Sequence, residues 1–165
     1  MTQLFFDYNS TTPIVDPVRK LMDDWVGLCG NMSSPHVFGQ SMQRIYDDCC
    51  DYIQGRLGAK NWSLFSCSSA TEATNWCFYS VLQDVLDCPR VIVSAIEHPC
   101  VLNVLEFYSN QGRIDLQICS VNQSGFMNMD HFDSLLTNNT VLVSVMLANN
   151  ELGTIQPIQD IVERA

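Results

Sequence analysis

Residues 140–147 read TVLVSVML and form the most strand-like segment of the chain. Aliphatic side chains dominate the run and no residue in it is charged. A short continuous apolar run of this kind is typical of a strand in the middle of a sheet, because neither face of such a strand meets water. We therefore predict that residues 140–147 lie mid-sheet with both faces covered.

Strand-like and helix-like segments alternate along the rest of the chain. Further strands are predicted at residues 62–66, 91–93 and 114–121. Helices are predicted from Asp16-Pro17, over 39–57 (Met42, Ile45, Cys49 and Ile53 inward), over 71–85, from Pro99 to Gly112, from an Asp130 cap through Leu136, and from Pro157. This alternation predicts an α/β fold around a mainly parallel sheet. Ligands of such sheets bind beyond the carboxyl ends of the strands, so the strand-to-helix loops are the candidate sites.

The composition excludes several classes of protein. With 165 residues and 47% hydrophobic content, the chain can bury one core and is neither disordered nor fibrous. The net charge of −10, from 8 Lys and Arg against 18 Asp and Glu, argues against a nucleic-acid partner, since phosphate neutralisation needs clustered basic side chains. No apolar run approaches the roughly 18 residues of a membrane span, and the N-terminus lacks the basic end of a signal peptide. We expect a soluble, cytoplasmic protein with no membrane partner.

The 8 cysteines include no C-x-x-C pair. In a chain without a secretion signal we expect reduced thiols, buried as small apolar side chains. Only His36, His98 and His131 could join them as zinc ligands, and no metal site is predicted from this set.

Three polar loops follow strands of the predicted sheet. Residues 66–72 (SCSSATE) precede a helix, where N–H groups and hydroxyls can bind an anion or form an ordinary cap. Residues 94–99 carry His98, which can stack on a planar ring, exchange protons or only cap the helix. Residues 148–153 offer two amides and a carboxylate, which suit hydrogen bonds to a ring or a plain turn. Their convergence on one sheet edge favours a phosphate-bearing aromatic cofactor.

Five blocks of sequence resemble the cysteine desulfurases, pyridoxal-phosphate enzymes of the class V aminotransferase group. Residues 7–13 (DYNSTTP) are similar to the family's D-[NY]-x-A-T-T-P, and residues 30–39 (GNMSSPHVFG) to G-N-P-S-S-x-H-x-x-G. Residues 68–72 (SSATE) are similar to S-G-[AG]-T-E, and 97–102 (EHPCVL) to E-H-x-A-V-L. Residues 142–158 follow L-V-S-x-M-x-x-N-N-E-x-G-x-x-Q-x-I. The blocks occur in the family's order, with matching spacing, over nearly the whole chain.

The resemblance implies a fold and a reaction. The fold would be an incomplete large domain of the fold type I pyridoxal-phosphate enzymes, with residues 1–15 as an N-terminal arm and 16–165 as part of that domain. The reaction would transfer sulfur from L-cysteine, leaving alanine, for iron–sulfur cluster or thio-cofactor assembly. The partners so implied are L-cysteine, sulfur-acceptor or scaffold proteins, and either a second copy of the chain or a complementing C-terminal chain.

The resemblance also implies a role for each site residue. Ala70 and Thr71 would bind the phosphate of pyridoxal 5′-phosphate by backbone N–H and hydroxyl. His98 would stack on the pyridine ring and take part in proton transfer. Asn150 would hydrogen-bond near the phenolic oxygen of the ring.

Some residues that the family needs have no counterpart in the matched blocks. The Schiff-base lysine, the Asp paired with the pyridine nitrogen and the persulfide cysteine belong to a part of the family's chain beyond residues 156–158. The only lysines here are Lys20 and Lys60, and neither lies in a context like the family's S-x-H-K. The chain alone is therefore predicted to be inactive as a desulfurase.

Ser69 stands where the family has glycine, and its side chain is expected to crowd the phosphate or to alter a backbone angle that glycine permits. Two alternative hypotheses stay open. The chain is a non-catalytic relic or a module of the same fold that binds a phosphate compound or a partner, or it belongs to a related class V lyase or aminotransferase.

Overall fold

The computed structural model describes residues 4–85 and 87–165. The chain divides into two compact units, Met1–Ser66 and Cys67–Ala165. No helix within the described ranges is long and apolar enough to cross a membrane. Every strand of the described residues belongs to the second unit, which therefore carries the sheet edge where the candidate site is expected.

The first unit contains helices α1 (Asp16–Trp25) and α2 (Val37–Leu57). Helix α1 has the predicted proline in its first turn. Helix α2 begins two residues before the predicted Gly39, because the His36 ring caps it by accepting a hydrogen bond from the Gly39 N–H at 3.3 Å. Gly58 ends α2 as predicted, with a φ of 68° that favours glycine.

Two predictions for the first unit are wrong. Residues 62–66 form no strand, and Trp62 stays exposed. A strand needs a neighbour for its backbone hydrogen bonds, and the described part of this unit offers none. On α2, Met42 and Ile45 are half-buried, whereas Cys49 and Ile53 are exposed. The inward face of α2 is therefore covered only along its first half.

The second unit is built on three parallel strands in the order β2–β1–β3. The strands are β1 (Arg90–Ser94), β2 (Asp115–Cys119) and β3 (Thr140–Ser144). The helices described in this unit are α3 (Ala70–Leu82), α4 (Pro99–Asn110), α5 (Met129–Leu135) and α6 (Ile158–Arg164). This arrangement confirms the predicted α/β fold with a parallel sheet.

Two apolar clusters cover opposite faces of β1, since successive strand side chains point to opposite faces. Val91 and Val93 pack against α3 and α4, in a cluster with Phe78, Leu82, Leu105, Tyr108 and Ile114. Ile92 packs against α5 and α6, in a cluster with Cys119, Met127, Phe132 and Ile161. The sheet is therefore a middle layer, and its parallel strands send their following loops to one edge.

Strand β3 is shorter than predicted and lies at one side of the described sheet, whereas β1 is central. Val91, Ile92 and Val93 are fully buried, while Val141 is 38% exposed. Beyond Ser144 the chain leaves the ladder, because the N–H of Met146 donates to the Glu97 carboxylate instead of to a strand. For the described residues, the prediction that 140–147 run mid-sheet with both faces covered is therefore wrong.

Smaller predictions also need correction. Helix α5 is capped by Asn128, which accepts a hydrogen bond from the His131 N–H at 3.1 Å, and the predicted cap Asp130 lies in the first turn. Among the cysteines in the described part of the chain, only Cys119 is buried. Cys77, for example, precedes the buried Phe78 on α3, and consecutive helix residues point about 100° apart, so Cys77 faces outward.

Candidate functional site

Two loops at the carboxyl edge of the sheet meet around one cleft of about 340 Å³. The β1–α4 loop (residues 95–98) forms one wall, and residues 149–152 of the post-β3 segment (residues 145–157) form the other. The cleft therefore brings together His98 and Asn150, two of the four residues that the sequence predicts for a cofactor site. Its volume suits a single aromatic ring with polar substituents.

His98 is the N-cap residue of α4. Its Nδ1 accepts a hydrogen bond from the Cys100 N–H at 3.1 Å, so the neutral ring carries its proton on Nε2. The side chain is exposed within the cleft wall. The ring can therefore stack on a planar group and donate from Nε2.

Asn149, which precedes the predicted site residue Asn150, is the buried member of the Asn-Asn pair. Its Oδ1 accepts hydrogen bonds from the N–H groups of Glu151 at 2.9 Å and Leu152 at 2.8 Å. These bonds wrap the turn around Asn150, which is exposed at the cleft. The tandem asparagines were the signal in the sequence, but the sequence alone does not say which one faces inward.

Glu97 is a second buried residue that the sequence analysis did not assign to the site. Its carboxylate accepts hydrogen bonds from the backbone N–H groups of Met146 and His98. Burial raises the pKa of this carboxyl, although the two N–H groups and the nearby His98 ring act in the opposite direction. No signal in the sequence marks this acid as buried, because burial of a loop side chain depends on the loop that packs against it.

Glu97→Gln should remove a pH dependence of stability. Because burial raises the folded-state pKa of the carboxyl, the folded protein holds the proton more tightly than the unfolded chain, and stability falls as pH rises through the folded-state value. Urea denaturation from about pH 4 to about pH 7 should show the wild type losing stability relative to the variant. Glu106→Gln, at an exposed position of α4, is the control. Parallel curves for wild type and Glu97→Gln would contradict this expectation.

Ala70 and Thr71 open helix α3, whose N-cap is Ser69. First-turn N–H groups have no carbonyl acceptor within a helix, and the positive end of the helix dipole adds to their attraction for anions. Neither residue lines the cleft of His98 and Asn150, although α3 and α4 are in contact. The structure thus places the predicted site residues at two positions of one unit, a ring-sized cleft and a helix start.

Glu72, on the first turn of α3, folds back toward the chain before the helix. Its Oε2 accepts hydrogen bonds from the Ser68 hydroxyl and the Ser68 N–H, both at 2.6 Å. These bonds lower the pKa of the carboxyl, the hydroxyl contributing most. An ionised Glu72 therefore holds the approach to the helix in place.

Ser69 does not strain the backbone. Its φ of −161° and ψ of 163° are extended values that any residue adopts. Its hydroxyl accepts a hydrogen bond from the Glu72 N–H at 3.2 Å. The serine therefore occupies one N–H group of the helix start that glycine would leave available.

Ser69→Ala should lower the free energy of unfolding by about 1 kcal/mol, and Ser69→Gly by only a few tenths, because glycine is itself a tolerated N-cap. The glycine variant also frees the Glu72 N–H, so inorganic phosphate should bind it more tightly than the wild type. Urea denaturation and phosphate titration followed at the amide resonances of α3 measure the two effects. Ser80→Ala, at an exposed position of α3, is the control. Weaker phosphate binding by Ser69→Gly would refute the capping argument.

The donor chemistry at these two positions fits pyridoxal 5′-phosphate. The cleft offers an imidazole for the ring and an amide for its phenolic oxygen, and the start of α3 offers N–H groups for the phosphate. Lys20 lies on α1 and Lys60 follows α2, both in the first unit. Across the described ranges, no group of three or more His, Cys, Asp or Glu side chains is placed to hold a metal ion.

Comparisons with known proteins place this fold in a family. Residues 4–165 match the model of the aminotransferase class-V family. A cysteine desulfurase of Nostoc sp. is 33% identical over 165 residues, which cover 99% of this chain and 41% of the relative. The cysteine desulfurase NifS of Azotobacter vinelandii is 32% identical over 168 residues, covering 100% of this chain and 41% of that protein.

Solved structures of similar fold agree with the family match. A NifS-like protein superposes with a TM-score of 0.94 at 30% identity, covering 99% of this chain and 45% of that structure. SspA in complex with cysteine superposes with a TM-score of 0.88 at 30% identity, covering 98% of this chain and 47% of that structure. The chain thus spans less than half the length of these relatives, and the predicted likeness to the fold type I enzymes is confirmed. Since the family model matches almost every residue, the chain belongs to the aminotransferase class-V family.

Proposed function

We propose that this chain forms part of a pyridoxal-phosphate-dependent cysteine desulfurase, with residues 1–15 as an N-terminal arm and 16–165 as part of the large domain. The observation that carries the proposal is the cleft in which His98 and Asn150 meet at the carboxyl edge of a parallel sheet. The match to relatives named cysteine desulfurases over 99% of the chain supports it. So does the structural likeness to SspA, which was solved in complex with cysteine.

Each site residue has a proposed task. Ala70 and Thr71 bind the phosphate, with first-turn N–H groups and the Thr71 hydroxyl as donors. The exposed His98 ring stacks on the pyridine and presents the proton on Nε2 to the reacting face. Asn150 hydrogen-bonds near the phenolic oxygen. Pyridoxal phosphate, when bound, supplies an electron sink, and the residues of this chain orient it.

The proposed substrate is L-cysteine. With a thiol as acceptor, the carbon–sulfur bond of L-cysteine breaks, the sulfur forms a persulfide on the thiol, and the carbon takes up a proton to give alanine. The final acceptor would be a sulfur-acceptor or scaffold protein of iron–sulfur cluster or thio-cofactor assembly. A complementing C-terminal chain would supply the Schiff-base lysine and the persulfide cysteine, which the matched blocks of this chain do not contain. A second copy of the chain would form a homodimer and would not supply them.

Binding of pyridoxal 5′-phosphate to the 165-residue chain tests the proposal. The phosphate contacts at α3 should make pyridoxal 5′-phosphate bind about tenfold more tightly than pyridoxal, which corresponds to about 1.4 kcal/mol. Isothermal titration calorimetry with both compounds measures the difference. Equal affinity for the two compounds would remove the proposed phosphate site.

His98→Ala and Asn150→Ala should each weaken pyridoxal 5′-phosphate binding several-fold, on the order of 1 kcal/mol per lost contact. Asn103→Ala, at an exposed position of α4, is the control and should bind like the wild type. The same calorimetric titration measures all four proteins. Unchanged affinity in both site variants would show that the cleft does not hold the ring.

A second candidate is a non-catalytic module that binds a phosphate compound. The observation that favours it is the lining of the cleft, which contains no lysine. Both candidates predict binding of pyridoxal 5′-phosphate, and they differ in whether a covalent bond to this chain can form.

A further inference from the structure

Two buried side chains, Glu97 and Asn149, form hydrogen bonds that join the two walls of the cleft. We call them the cross-loop pair. Glu97 belongs to the β1–α4 loop, and its carboxylate accepts from the Met146 N–H of the post-β3 segment. Asn149 belongs to the post-β3 segment, and its Nδ2 donates to the Ile96 carbonyl of the β1–α4 loop at 3.0 Å. Each loop therefore sends one side chain to the backbone of the other.

Each member of the cross-loop pair also fixes the residue that follows it. Glu97 accepts from the N–H of His98, whose ring in turn caps α4. Asn149 accepts from the N–H groups of Glu151 and Leu152, and its own N–H donates to the Thr154 carbonyl at 2.9 Å. Glu97 and Asn149, which directly precede His98 and Asn150, therefore form the bonds that hold the backbone at both site residues.

Because Glu97 and Asn149 are buried, loss of their hydrogen bonds would be costly in free energy. Glu97 and Asn149 are each 8% exposed, and within the described ranges no buried side-chain nitrogen or oxygen lacks a partner. A buried polar group that loses its partner carries an uncompensated desolvation cost, whereas an exposed one exchanges its partner for water. Separation of the two loops would leave both side chains unsatisfied, which opposes any drift of His98 relative to Asn150.

We infer that Glu97 and Asn149 are reciprocal positioning residues, which lock the β1–α4 loop to the post-β3 segment so that His98 and Asn150 face one ligand. The inference rests on the proposed function for the identity of that ligand, and on the contacts alone for the lock. Glu97 and Asn149 would thus act through backbone hydrogen bonds and present the neighbouring side chains, His98 and Asn150, to the cleft.

The inference can be tested without any ligand, by substituting a residue in one loop and measuring the change in the resonances of the other loop. Asn149→Asp keeps an oxygen for the Glu151 and Leu152 N–H groups but cannot donate to the Ile96 carbonyl. Nuclear magnetic resonance of the full 165-residue chain should therefore show shifted His98 ring resonances, with amide exchange at Glu151 and Leu152 changed by less than about twofold.

The reverse direction uses Glu97. Glu97→Ala should speed exchange of the Met146 amide by at least about tenfold and shift the side-chain resonances of Asn150. Glu97→Met has nearly the same size, cannot accept from the Met146 N–H, and should shift Asn150 even where the alanine variant fails to fold. Glu106→Ala and Asn103→Ala are matched controls on exposed faces of α4 and should leave these signals unchanged. Responses confined to the mutated loop would overturn the inference.

Titration with pyridoxal 5′-phosphate separates positioning from general stability. Glu97→Met and Asn149→Asp should each weaken binding about fivefold to tenfold in the wild-type background, but by less than about twofold when His98 is already Ala. A merely structural role predicts equal losses in both backgrounds, and that result would overturn the inference. If the wild type does not bind pyridoxal 5′-phosphate, the proposed function fails, while the cross-loop shifts still decide whether the pair locks the two loops.

Discussion

Alanine in place of Phe132 should lower the free energy of unfolding of the second unit by about 3–5 kcal/mol. Phe132 is fully buried on α5 and packs with Ile92 of the central strand and Ile161 of α6. Removing the ring deletes apolar contacts and leaves a cavity, because close-packed surroundings collapse only in part. Since natural domains are stable by only about 5–15 kcal/mol, this one change should consume a large share of the stability.

Urea denaturation followed by hydrogen exchange at the β1 amides measures the loss at Phe132, because β1 forms the centre of this unit. Phe6→Ala is the matched control, since Phe6 is 89% exposed and its loss should change stability by no more than about 0.5 kcal/mol. A Phe132→Ala variant within about 1 kcal/mol of the wild type would show that α5 does not anchor the sheet.

Regular elements with a strong local pattern could be predicted from the sequence. The helix from Pro99 was expected because proline favours a first turn and apolar residues recur at helical spacing, and Leu105 and Tyr108 of α4 are buried as that spacing requires. The strand at 91–93 was expected from its apolar run, and it is the buried centre of the sheet. In both cases the residues that set the local structure also form the core.

Predictions failed where the outcome depends on distant partners. Residues 62–66 are apolar enough for a strand, but a strand also needs a neighbour in space, which a local pattern does not supply. The end of β3 is set by the bond from the Met146 N–H to Glu97, a residue on another loop.

In the candidate site, too, features set by local sequence could be predicted and features set by distant partners could not. His98 and Asn150 could be predicted, because polar residues at the carboxyl ends of parallel strands must converge. Glu97 and Asn149 could not, since their roles arise from bonds between loops about fifty residues apart in sequence, and the sequence gives no sign of which polar side chains turn inward. Burial therefore separates the residues that meet a ligand from those that hold the site together.

The 165-residue chain, given pyridoxal 5′-phosphate and L-cysteine, should release no sulfide above the level of a Lys20→Arg/Lys60→Arg double variant. A pyridoxal-phosphate enzyme of this family needs a lysine amine to bond its cofactor covalently. The only lysines of this chain, Lys20 on α1 and Lys60 just after α2, lie in sequence contexts unlike the family's S-x-H-K. Arginine keeps the charge of lysine but offers no such amine, which makes the double variant a matched control.

Borohydride reduction followed by mass spectrometry measures directly whether a lysine of this chain bonds pyridoxal 5′-phosphate covalently. Wild type and the Lys20→Arg/Lys60→Arg variant should show the same background of covalent pyridoxyl product, while a full-length cysteine desulfurase should be labelled and should release sulfide. Reversible binding without labelling separates cofactor recognition, which Ala70, Thr71, His98 and Asn150 are proposed to provide, from catalysis, which needs an amine in the cleft. Specific labelling of Lys20 or Lys60 together with cysteine-dependent sulfide release would instead make this chain a complete catalyst.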